Sequence, residues 1–428
     1  MDTIFALASA RGKAGVSVVR ISGPQSWRVA ADMAGRLPQP RMTGVRDISI
    51  DGGVVDRALV ICFEENRSFT GEMVVEIHLH GSPAIVACVL RHLGDREGLR
   101  LAEAGEFSRR ALENGRLDLA QVEGLGDLIE AETEAQRRQA MRVFSGVLGA
   151  RVASWRQDLV EVSALLAAGI DFVEEDIPRC QTSAMLERID RVLGDCRAQV
   201  AGADVAERVR DGFEVAIVGA PNVGKSTLLN AIAGRPAALT SSRAGTTRDI
   251  IEVRMDLGGL AVTLLDTAGV WDGAEDVEQL GIRLARDRAG TADLRVILTE
   301  DGRVPAGIGV EPDDIVVFAK ADLNPREGLC VSGLTGAGVG DLLGGIRQVL
   351  SSRAAGAALI TRERHRKAVV VAEREMCAAR ELIADGLEFP ELAGERVRAA
   401  VLALDVIIGK VDVEDILGEI FARFCIGK

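Results

Sequence analysis

Hydrophobic and polar residues alternate most regularly over Met73–His80. The odd-numbered positions of this stretch are all apolar, whereas the even-numbered ones include Glu76, His78 and His80. A period of two predicts a β-strand with one face in a core. The two histidines could also bind a metal, but no third ligand with suitable spacing is visible in the sequence. We therefore favour a solvated or pocket-lining polar face.

The rest of the N-terminal segment has the pattern of a small domain that combines strands with helices. Strands are predicted at Thr3–Ala8 and Gly15–Ile21, and helices at Gln25–Leu37 and Ala84–Leu93. Because both kinds of element occur within one short segment, we predict an α+β domain over residues 1–114.

After this segment the hydrophobic spacing changes from two to alternating three and four, which predicts helices. The seam is formed by Val152, Trp155, Leu159, Val162 and Leu166. The helical pattern fills residues 115–208 and resumes over residues 357–428. We interpret its stripes as packing between helices and see no cofactor-binding pattern in them.

Between the two helical parts, residues 211–350 alternate strand-like runs with helical stretches. The predicted strands are Phe213–Val218, Ile250–Met255, Ala261–Leu265, Leu294–Leu298, Asp314–Phe318 and Gly328–Val331. Such alternation is typical of a mostly parallel α/β sheet. We therefore predict an α/β domain inserted into an all-α helical domain.

Composition limits the class of protein. The 428 residues suggest about three domains. At a net charge of −13, the chain cannot rely on bulk attraction to nucleic acid, so any such contact is local or supplied by a partner. The seven cysteines are scattered without a CxxC pair, which indicates reduced thiols. Because no membrane-length apolar run or signal-peptide layout is visible, we expect a soluble cytoplasmic protein.

A phosphate-binding loop follows the first strand of the α/β segment. Residues Gly219–Ser226 read G-x-x-x-x-G-K-S between a buried strand and a helix start, which is the context that such a loop requires. Its N–H groups would surround a di- or triphosphate, Lys225 would reach the outer phosphates, and the Ser226 hydroxyl would take a magnesium position. The alternative, a chance glycine-rich turn, is disfavoured by the motifs further along the chain.

Two later stretches supply the rest of the phosphate side. Asp266–Gly269 ends a predicted strand, where the aspartate of a GTPase holds magnesium through water and the glycine amide senses the γ-phosphate. Gly245–Asp249 lies between the two motifs, and Thr247 can supply a switch ligand to magnesium. Three motifs in this order predict nucleotide hydrolysis.

The base-reading motif is less complete. GTPases have Asn-Lys-x-Asp after the fifth strand, whereas this chain has Ala319–Asp322. Asp322 can still accept both guanine N–H groups, and Lys320 can still cover the base plane. The missing amide would have contacted the base and braced the neighbouring loop. Ser332–Leu334 occupies the place of the last, backbone-donating motif. We expect guanine selectivity to be kept and affinity to fall by roughly 1–2 kcal/mol.

Hydrolysis needs a group that orients water. Ras-like proteins place a glutamine directly after the glycine of the Asp266–Gly269 motif, and this chain has Val270 there. Glu278 is a candidate for the water-orienting group. Because no arginine finger is evident, a monovalent cation held by Asn222 and switch-loop carbonyls would supply the positive charge.

Five stretches outside the GTPase motifs carry a resemblance that runs from end to end. They are Gly15–Gly23, Phe69–Gly81, Gly105–Ala111, Asn114–Leu119 and the tail Cys425–Lys428. The chain closely resembles the family of tRNA uridine-5-carboxymethylaminomethyl modification GTPases called MnmE or TrmE. The resemblance implies a folate-binding N-terminal domain that dimerises, a helical domain, and an inserted P-loop GTPase domain.

The resemblance also implies roles for individual residues. Catalytic roles fall on Lys225, Gly269, Glu278 and Cys425. Magnesium ligands would be Ser226 and Thr247, and potassium ligands Asn222, Ser241, Arg243 and Thr246. Folate would contact Arg20, Glu76, Arg116 and Lys428, with Arg116 standing where the family often has lysine. The implied GTP site comprises Asn222, Val223, Gly224, Lys225, Ser226, Thr227, Ser241, Ser242, Arg243, Ala244, Gly245, Thr246, Thr247, Asp266, Thr267, Ala268, Gly269, Lys320, Asp322, Ser332, Gly333 and Leu334.

The function implied by the resemblance is potassium-dependent GTP hydrolysis in a homodimer. With an FAD-containing partner subunit called MnmG, in a heterotetramer or larger complex, the family adds an aminomethyl or carboxymethylaminomethyl group to C5 of the tRNA wobble uridine. The carbon comes from a 5,10-methylene- or 5-formyl-tetrahydrofolate. A cysteine near the C-terminus is by itself usually an inert packing residue. Its position in the family's tail implies that Cys425 could act near the folate or the modified base.

A ribosome-assembly GTPase that acts as a nucleotide-switched binding module is the competing hypothesis. Such proteins usually append basic RNA-binding domains, whereas this chain is acidic. Its densest basic cluster, Arg362–Lys367, has two open interpretations: a solvated helix start, which we favour, and a phosphate-backbone contact.

Overall fold

The computed structural model describes residues 2–171, 179–235, 238, 252–266, 290–304, 309–324, 326–411, 414–422 and 424–427. The chain divides into two units, one formed by residues 1–126 with residues 405–428, and the other by residues 127–404. Within the described residues, no helix combines the length and the apolar character that crossing a membrane requires.

A six-stranded sheet organises the first unit. Its strands are β1 (Thr3–Leu7), β2 (Ala14–Ser22), β3 (Thr43–Ile50), β4 (Gly53–Phe63), β5 (Val74–Gly81) and β6 (Leu99–Leu101). The spatial order is β3-β4-β5-β2-β1-β6, and every neighbouring pair is antiparallel except β1 and β6. The most regular alternation in the sequence, in β5, therefore lies inside the sheet.

The two faces of β5 differ as the alternation predicts. Val75, Ile77 and Leu79 are buried in a core that the sheet forms with two helices, α1 (Ser26–Ala34) and α2 (Pro83–Gly94). Glu76 and His78 point to the opposite face and are only partly buried. The face toward α1 and α2 is thus the hydrophobic side of the sheet, and the other face carries polar groups.

The β3–β4 hairpin was not predicted from the sequence. Its two-residue turn, Asp51–Gly52, has φ values of +51° and +81°. An Asp-Gly pair between two apolar runs is a recognised hairpin signal because both turn residues adopt positive φ. The signal was present, but the mixed polarity of β3 obscured it.

The helices account for most of the remaining chain. They are α3 (Glu106–Glu113), α4 (Leu119–Glu130), α5 (Glu134–Phe144), α6 (Val147–Asp171), α7 (Arg179–Ala201), α8 (Ala203–Asp211), α9 (Lys225–Ala233), α10 (Val339–Ala354), α11 (Glu363–Ala384), α12 (Pro390–Ile408) and α13 (Glu414–Ala422). The predicted seam lies in α6, where Trp155 is 2% exposed and the other four members are fully buried. The prediction that these stripes pack between helices is confirmed.

A five-stranded sheet forms the α/β part of the second unit. Its strands are β7 (Phe213–Gly219), β8 (Glu252–Leu257), β9 (Leu260–Asp266), β10 (Leu294–Thr299) and β11 (Ile315–Phe318). The order is β11-β10-β7-β9-β8, parallel throughout except for the antiparallel pair β8–β9. The predicted mostly parallel sheet is confirmed.

One predicted strand of this sheet is wrong. Residues 328–331 contribute only an isolated bridge between Phe318 and Cys330. Gly328 has a φ of +112°, so the chain is still turning where the strand was expected to begin. Apolar composition alone could not reveal that turn. The boundaries predicted for the separate domains stay predictions.

A buried ion cluster holds α3 against the N-terminal strand. The Arg110 guanidinium donates hydrogen bonds to the carboxylates of Asp2 (2.7 Å), Glu72 (3.0 Å) and Glu106 (3.1 Å). Only 10% of the Arg110 side chain is exposed. Burial opposes ionisation of Glu106, but its hydrogen bonds with Arg100 and Arg110 outweigh burial and lower its pKa. Removing Arg110 would take the guanidinium partner from the buried Glu72 carboxylate, whereas Asp2 and Glu106 would keep their pairs with Arg100.

We expect Arg110→Met to destabilise the first unit by about 3 kcal/mol, because breaking a buried ion pair strands its partner. Hydrogen exchange measured by mass spectrometry on the full-length chain would detect this as β1 amides exchanging about 100-fold faster. Arg109→Met is the matched control, since Arg109 makes only an exposed pair with Glu113 on the same helix. Equal exchange in the two variants would contradict the role assigned to the cluster.

Candidate functional site

The phosphate-binding loop connects β7 to α9 at the carboxyl edge of the sheet. A Cβ added at Gly219 would lie 2.5 Å from the carbonyl oxygen of Leu298, so only glycine fits at the start of the loop. Asn222 and Gly224 have φ values of +59° and +108°, which fold the backbone back into α9. Val223 is buried between them and anchors the loop in the core. A loop of this shape at a helix N-terminus suits an anion.

Lys225 is the first residue of α9 and is 5% exposed. Its Nζ donates hydrogen bonds to the carbonyl oxygens of Gly219 (2.9 Å) and Ala220 (3.0 Å). Burial lowers the pKa of Lys225, and the nearby Asp266 carboxylate opposes that fall. The ammonium therefore lies over the same loop whose N–H groups would surround a phosphate, where an anionic ligand would compensate its burial.

The neighbouring hydroxyl pairs with the end of β9. Ser226 Oγ lies 2.6 Å from Asp266 Oδ2, and Asp266 is 2% exposed. A hydroxyl and a carboxylate are the oxygen ligands that Mg²⁺ prefers, and the ion keeps its other positions for water and phosphate. Among the described residues, no group of three or more His, Cys, Asp or Glu side chains could hold a metal ion by itself. The pair thus fits magnesium brought with a nucleotide.

The loop that is predicted to read the base follows β11. The N–H of Ala319 donates to the Thr299 carbonyl oxygen (2.8 Å), and the small side chain is 7% exposed. Lys320 has a φ of +57°, and its Nζ forms an ion pair of 2.6 Å with Glu300. Asp322 is exposed at the surface. Glu300 was not predicted as part of the site, because nothing in its sequence context links it to a lysine twenty positions away.

The loop that begins at Ser332 closes on itself. Ser332 is 1% exposed, its N–H donates to the Ala337 carbonyl oxygen (2.9 Å), and its Oγ accepts from the Thr335 N–H (3.2 Å). Gly333 lies against the first turn of α9, and Leu334 is 80% exposed. The phosphate loop, the Ala319–Asp322 loop and this loop therefore lie at one edge of the sheet.

Several predicted residues of the nucleotide site lie outside the described residues. They are Ser241, Ser242, Arg243, Ala244, Gly245, Thr246, Thr247, Thr267, Ala268, Gly269 and Glu278. Lys428, predicted to contact folate, also lies outside them. Their assigned roles stay predictions.

In the first unit, Arg20 of β2 pairs with Glu76 of β5 across the polar face of the sheet. Arg20 Nε lies 2.9 Å from Glu76 Oε1. The guanidinium carbon is 5.5 Å from the ring centre of Phe69 and 5.4 Å from that of Phe107. Sequence reasoning missed both rings, which come from a loop and a helix distant in sequence. The Arg20–Glu76 pair and the partly buried Phe69 ring suit a flat, polar heterocycle, whereas Phe107 is fully buried and supports Arg20 from the core.

Arg116, the third predicted folate residue, is exposed and packs on the same loop as Phe69. A Cβ added at Gly71 would lie 3.2 Å from Arg116 Cγ. Asn114 Nδ2 donates to the Thr70 carbonyl oxygen (2.7 Å) and holds this loop in place. The loop thus connects the Arg20–Glu76 pair with Arg116.

The two histidines of β5 lie beside different carboxylates. His78 Nε2 is 3.5 Å from Glu76 Oε2, and His80 Nδ1 is 2.7 Å from Asp56 Oδ1. Burial opposes ionisation of Asp56, but the hydrogen bonds from His80 outweigh it and lower the pKa of Asp56. His80 is thereby tied to the β3–β4 hairpin and not to the Arg20–Glu76 pair.

Within the first unit, the C-terminal segment packs on the N-terminal residues at two glycines. Phe421 contacts Gly105: a Cβ added at Gly105 would lie 2.8 Å from Cδ1 of Phe421. Ile426 forms a bridge with Ala104. Gly427 has a φ of +104°, and a Cβ there would lie 2.2 Å from the Leu7 carbonyl oxygen. The tail is therefore seated on the end of β1.

A cavity of about 620 Å³ lies beside the tail. Cys425 and Ile426 line it together with the Ser9–Gly12 loop and α2 residues such as Val86 and Leu90. Cys425 is exposed. Arg20, Glu76 and Arg116 are not among the residues that line the cavity. The lining of this cavity therefore includes the tail cysteine and none of the predicted folate residues that the structure describes.

The basic cluster before and within the start of α11 is paired with acidic groups. Arg362 forms an ion pair with Asp127, Arg366 with Asp204 (3.2 Å), and Lys367 lies 3.8 Å from Glu363. The pairing favours the helix-start interpretation over a contact with phosphates.

The buried lysine, the hydroxyl–carboxylate pair and the loops at the edge of the parallel sheet define a P-loop GTPase domain. A family model described as the MnmE helical domain matches residues 119–425, and one described as the GTP-binding protein TrmE N-terminus matches residues 3–116. The chain belongs to the MnmE family of tRNA modification GTPases.

Relatives and solved structures give further comparisons. Two relatives named tRNA modification GTPase MnmE come from Cereibacter sphaeroides. The one from strain ATCC 17029 / ATH 2.4.9 is 58% identical, and the one from strain ATCC 17025 / ATH 2.4.3 is 56% identical, each over 428 residues and 100% of both chains. The solved G domain of the T. maritima FeoB iron transporter is 22% identical, covers 33% of this chain and 98% of that chain, and has a TM-score of 0.25.

Proposed function

We propose that this chain is a potassium-dependent GTPase that helps to modify C5 of the tRNA wobble uridine. It would act with an FAD-containing partner subunit, MnmG, and transfer a folate-borne carbon to yield an aminomethyl or carboxymethylaminomethyl group. The observation that carries the proposal is the Lys225 and Ser226–Asp266 geometry, in a chain that matches tRNA modification GTPases over its whole length.

The described residues would divide the work of holding GTP. Backbone N–H groups between Asn222 and Thr227 would bind the phosphates, and Lys225 would turn from its two carbonyl partners to the outer phosphate oxygens. Ser226 and Thr247 would ligate magnesium and Asp266 would hold it through water, and the ion would neutralise charge on the phosphates. Asp322 would accept the guanine N–H groups, and Lys320, steadied by Glu300, would cover the base.

Glu278 and a potassium ion would replace the missing glutamine and arginine finger. Glu278 would orient the attacking water by accepting its proton, and Asn222 would provide one oxygen ligand for the ion. Asn222 is exposed and has a φ of +59°, so it lies at a left-handed turn of the phosphate loop. The remaining ligands would be Ser241, Arg243 and Thr246, completed as two G domains of a homodimer meet.

We expect GTP hydrolysis to be at least about tenfold faster in potassium than in sodium at equal ionic strength, because the proposed ligands would hold potassium where an arginine finger would otherwise supply the positive charge. Glu278→Ala should abolish turnover in both salts and leave GDP binding intact, whereas Glu275→Ala serves as the control on the same segment. Phosphate release would be measured at several protein concentrations. Equal rates in both salts, unchanged on dilution, would contradict the proposed mechanism.

Folate binding would fall to the polar face of the first sheet. The Glu76 carboxylate can accept N–H bonds from a pterin ring, and the rings of Phe69 and Phe107 already flank Arg20. Arg116 and Lys428 would bind the acidic tail of the folate. The supporting observation is that the Phe69–Gly71 loop connects Arg20 with Arg116.

Cys425 would act in the tRNA reaction and not in GTP hydrolysis. It lies in the first unit at the rim of the 620 Å³ cavity, whereas the phosphate loop belongs to the second unit. Because the Gly427 contact with Leu7 seats the tail, the cysteine has a defined position there. Its thiol would face a reacting group in or near the cavity.

Cys425→Ser should keep GTP hydrolysis and folate binding at wild-type levels and abolish tRNA modification with the flavin partner. The nucleoside products of the tRNA would be analysed by mass spectrometry, and folate binding by calorimetry. Cys377→Ser, a half-buried cysteine of α11, is the control. Normal modification by Cys425→Ser would remove the proposed role of this thiol.

A further inference from the structure

The base side of the nucleotide site lacks the amide that usually connects its loops. Ala319 occupies that position, and its methyl group cannot donate or accept a hydrogen bond. The loop that begins at Ser332 must therefore be held over the site by other contacts.

Gly333 provides such a contact directly against α9. A Cβ added at Gly333 would lie 2.7 Å from both the N atom of Leu228 and the carbonyl carbon of Thr227. Both atoms are backbone atoms of the helix that begins in the phosphate loop, so they cannot move aside without moving that loop. The absence of a side chain at Gly333 is what allows the two backbones to meet.

The rest of the loop is held from its other side. The N–H of Ala321 donates to the Val331 carbonyl oxygen (3.1 Å), and the N–H of Val331 donates to the Phe318 carbonyl oxygen (2.7 Å). These bonds join the loop to the base-reading segment. Together with the Gly333 contact, they fix the loop between the phosphate loop and Asp322 without any side-chain amide.

We propose that Gly333 is a positioning residue that takes over the bracing lost with the asparagine. Ala319 cannot form the hydrogen bonds by which an asparagine side chain would connect the loops. Gly333 allows the loop that begins at Ser332 to contact the backbone of α9 instead. The inference rests on the proposed binding of guanine nucleotides, because the loop would donate a backbone N–H to guanine O6.

The test is a double-mutant cycle at positions 319 and 333 of the full-length chain, in which the affinities for GDP and IDP are measured. Gly333→Ala should raise the GDP dissociation constant about tenfold in the natural background and less than about threefold in the Ala319→Asn background. IDP lacks only the 2-amino group that Asp322 reads, so both nucleotides should lose the same factor. Gly340→Ala, an exposed position of α10 with no atom within 4 Å of the added Cβ, should change affinity less than about twofold.

An equal loss in both backgrounds, no loss in the natural one, or a changed ratio of GDP to IDP affinity would overturn the inference. If Gly333→Ala does not fold, the variant that combines Ala319→Asn with Gly333→Ala tests the inference. A double variant that folds and binds GDP supports the inference, and one that also fails overturns it. Failure of the natural chain to prefer GDP over ADP would instead contradict the proposed function itself.

Discussion

The turn that joins β7 to α9 presses the backbone of Gly219 against the carbonyl oxygen of Leu298 on β10. This close approach fixes where α9 begins, and hence where Lys225 and Ser226 point. Lys225 then bends back over the loop, and Ser226 meets Asp266 at the end of β9. The phosphate side of the site is therefore a consequence of strand packing in the parallel sheet.

The side of the site that would hold the base depends on fewer side-chain contacts than the phosphate side does. Asp322 and Lys320 remain, but the braces between loops are backbone contacts at Gly333 and Val331. We expect the missing amide to weaken nucleotide binding by about 1–2 kcal/mol, whereas the proposed recognition of guanine by Asp322 would not depend on that amide. Membership of the MnmE family connects this GTPase with tRNA modification. None of the contacts described above favours the ribosome-assembly alternative.

Local patterns predicted the parts of the fold that depend on local physics. Three features can be recognised from a few neighbouring residues: the period of two in β5, the helical seam of α6 and the Gly219–Ser226 loop. Contacts between distant segments were not predictable: Phe69 and Phe107 around Arg20, Glu300 beside Lys320, and Gly333 on α9. The false strand at residues 328–331 failed because the positive φ of Gly328 does not show in hydrophobicity.

The central claim is that the turn after β7 forms a phosphate site whose edge selects guanine. Competition binding with a fluorescent GDP analogue on the full-length chain tests the claim most directly. The account predicts that unlabelled GDP displaces the analogue at least about 100-fold more effectively than ADP, since only guanine offers two N–H groups to Asp322. Displacement by ADP as effectively as by GDP would contradict it.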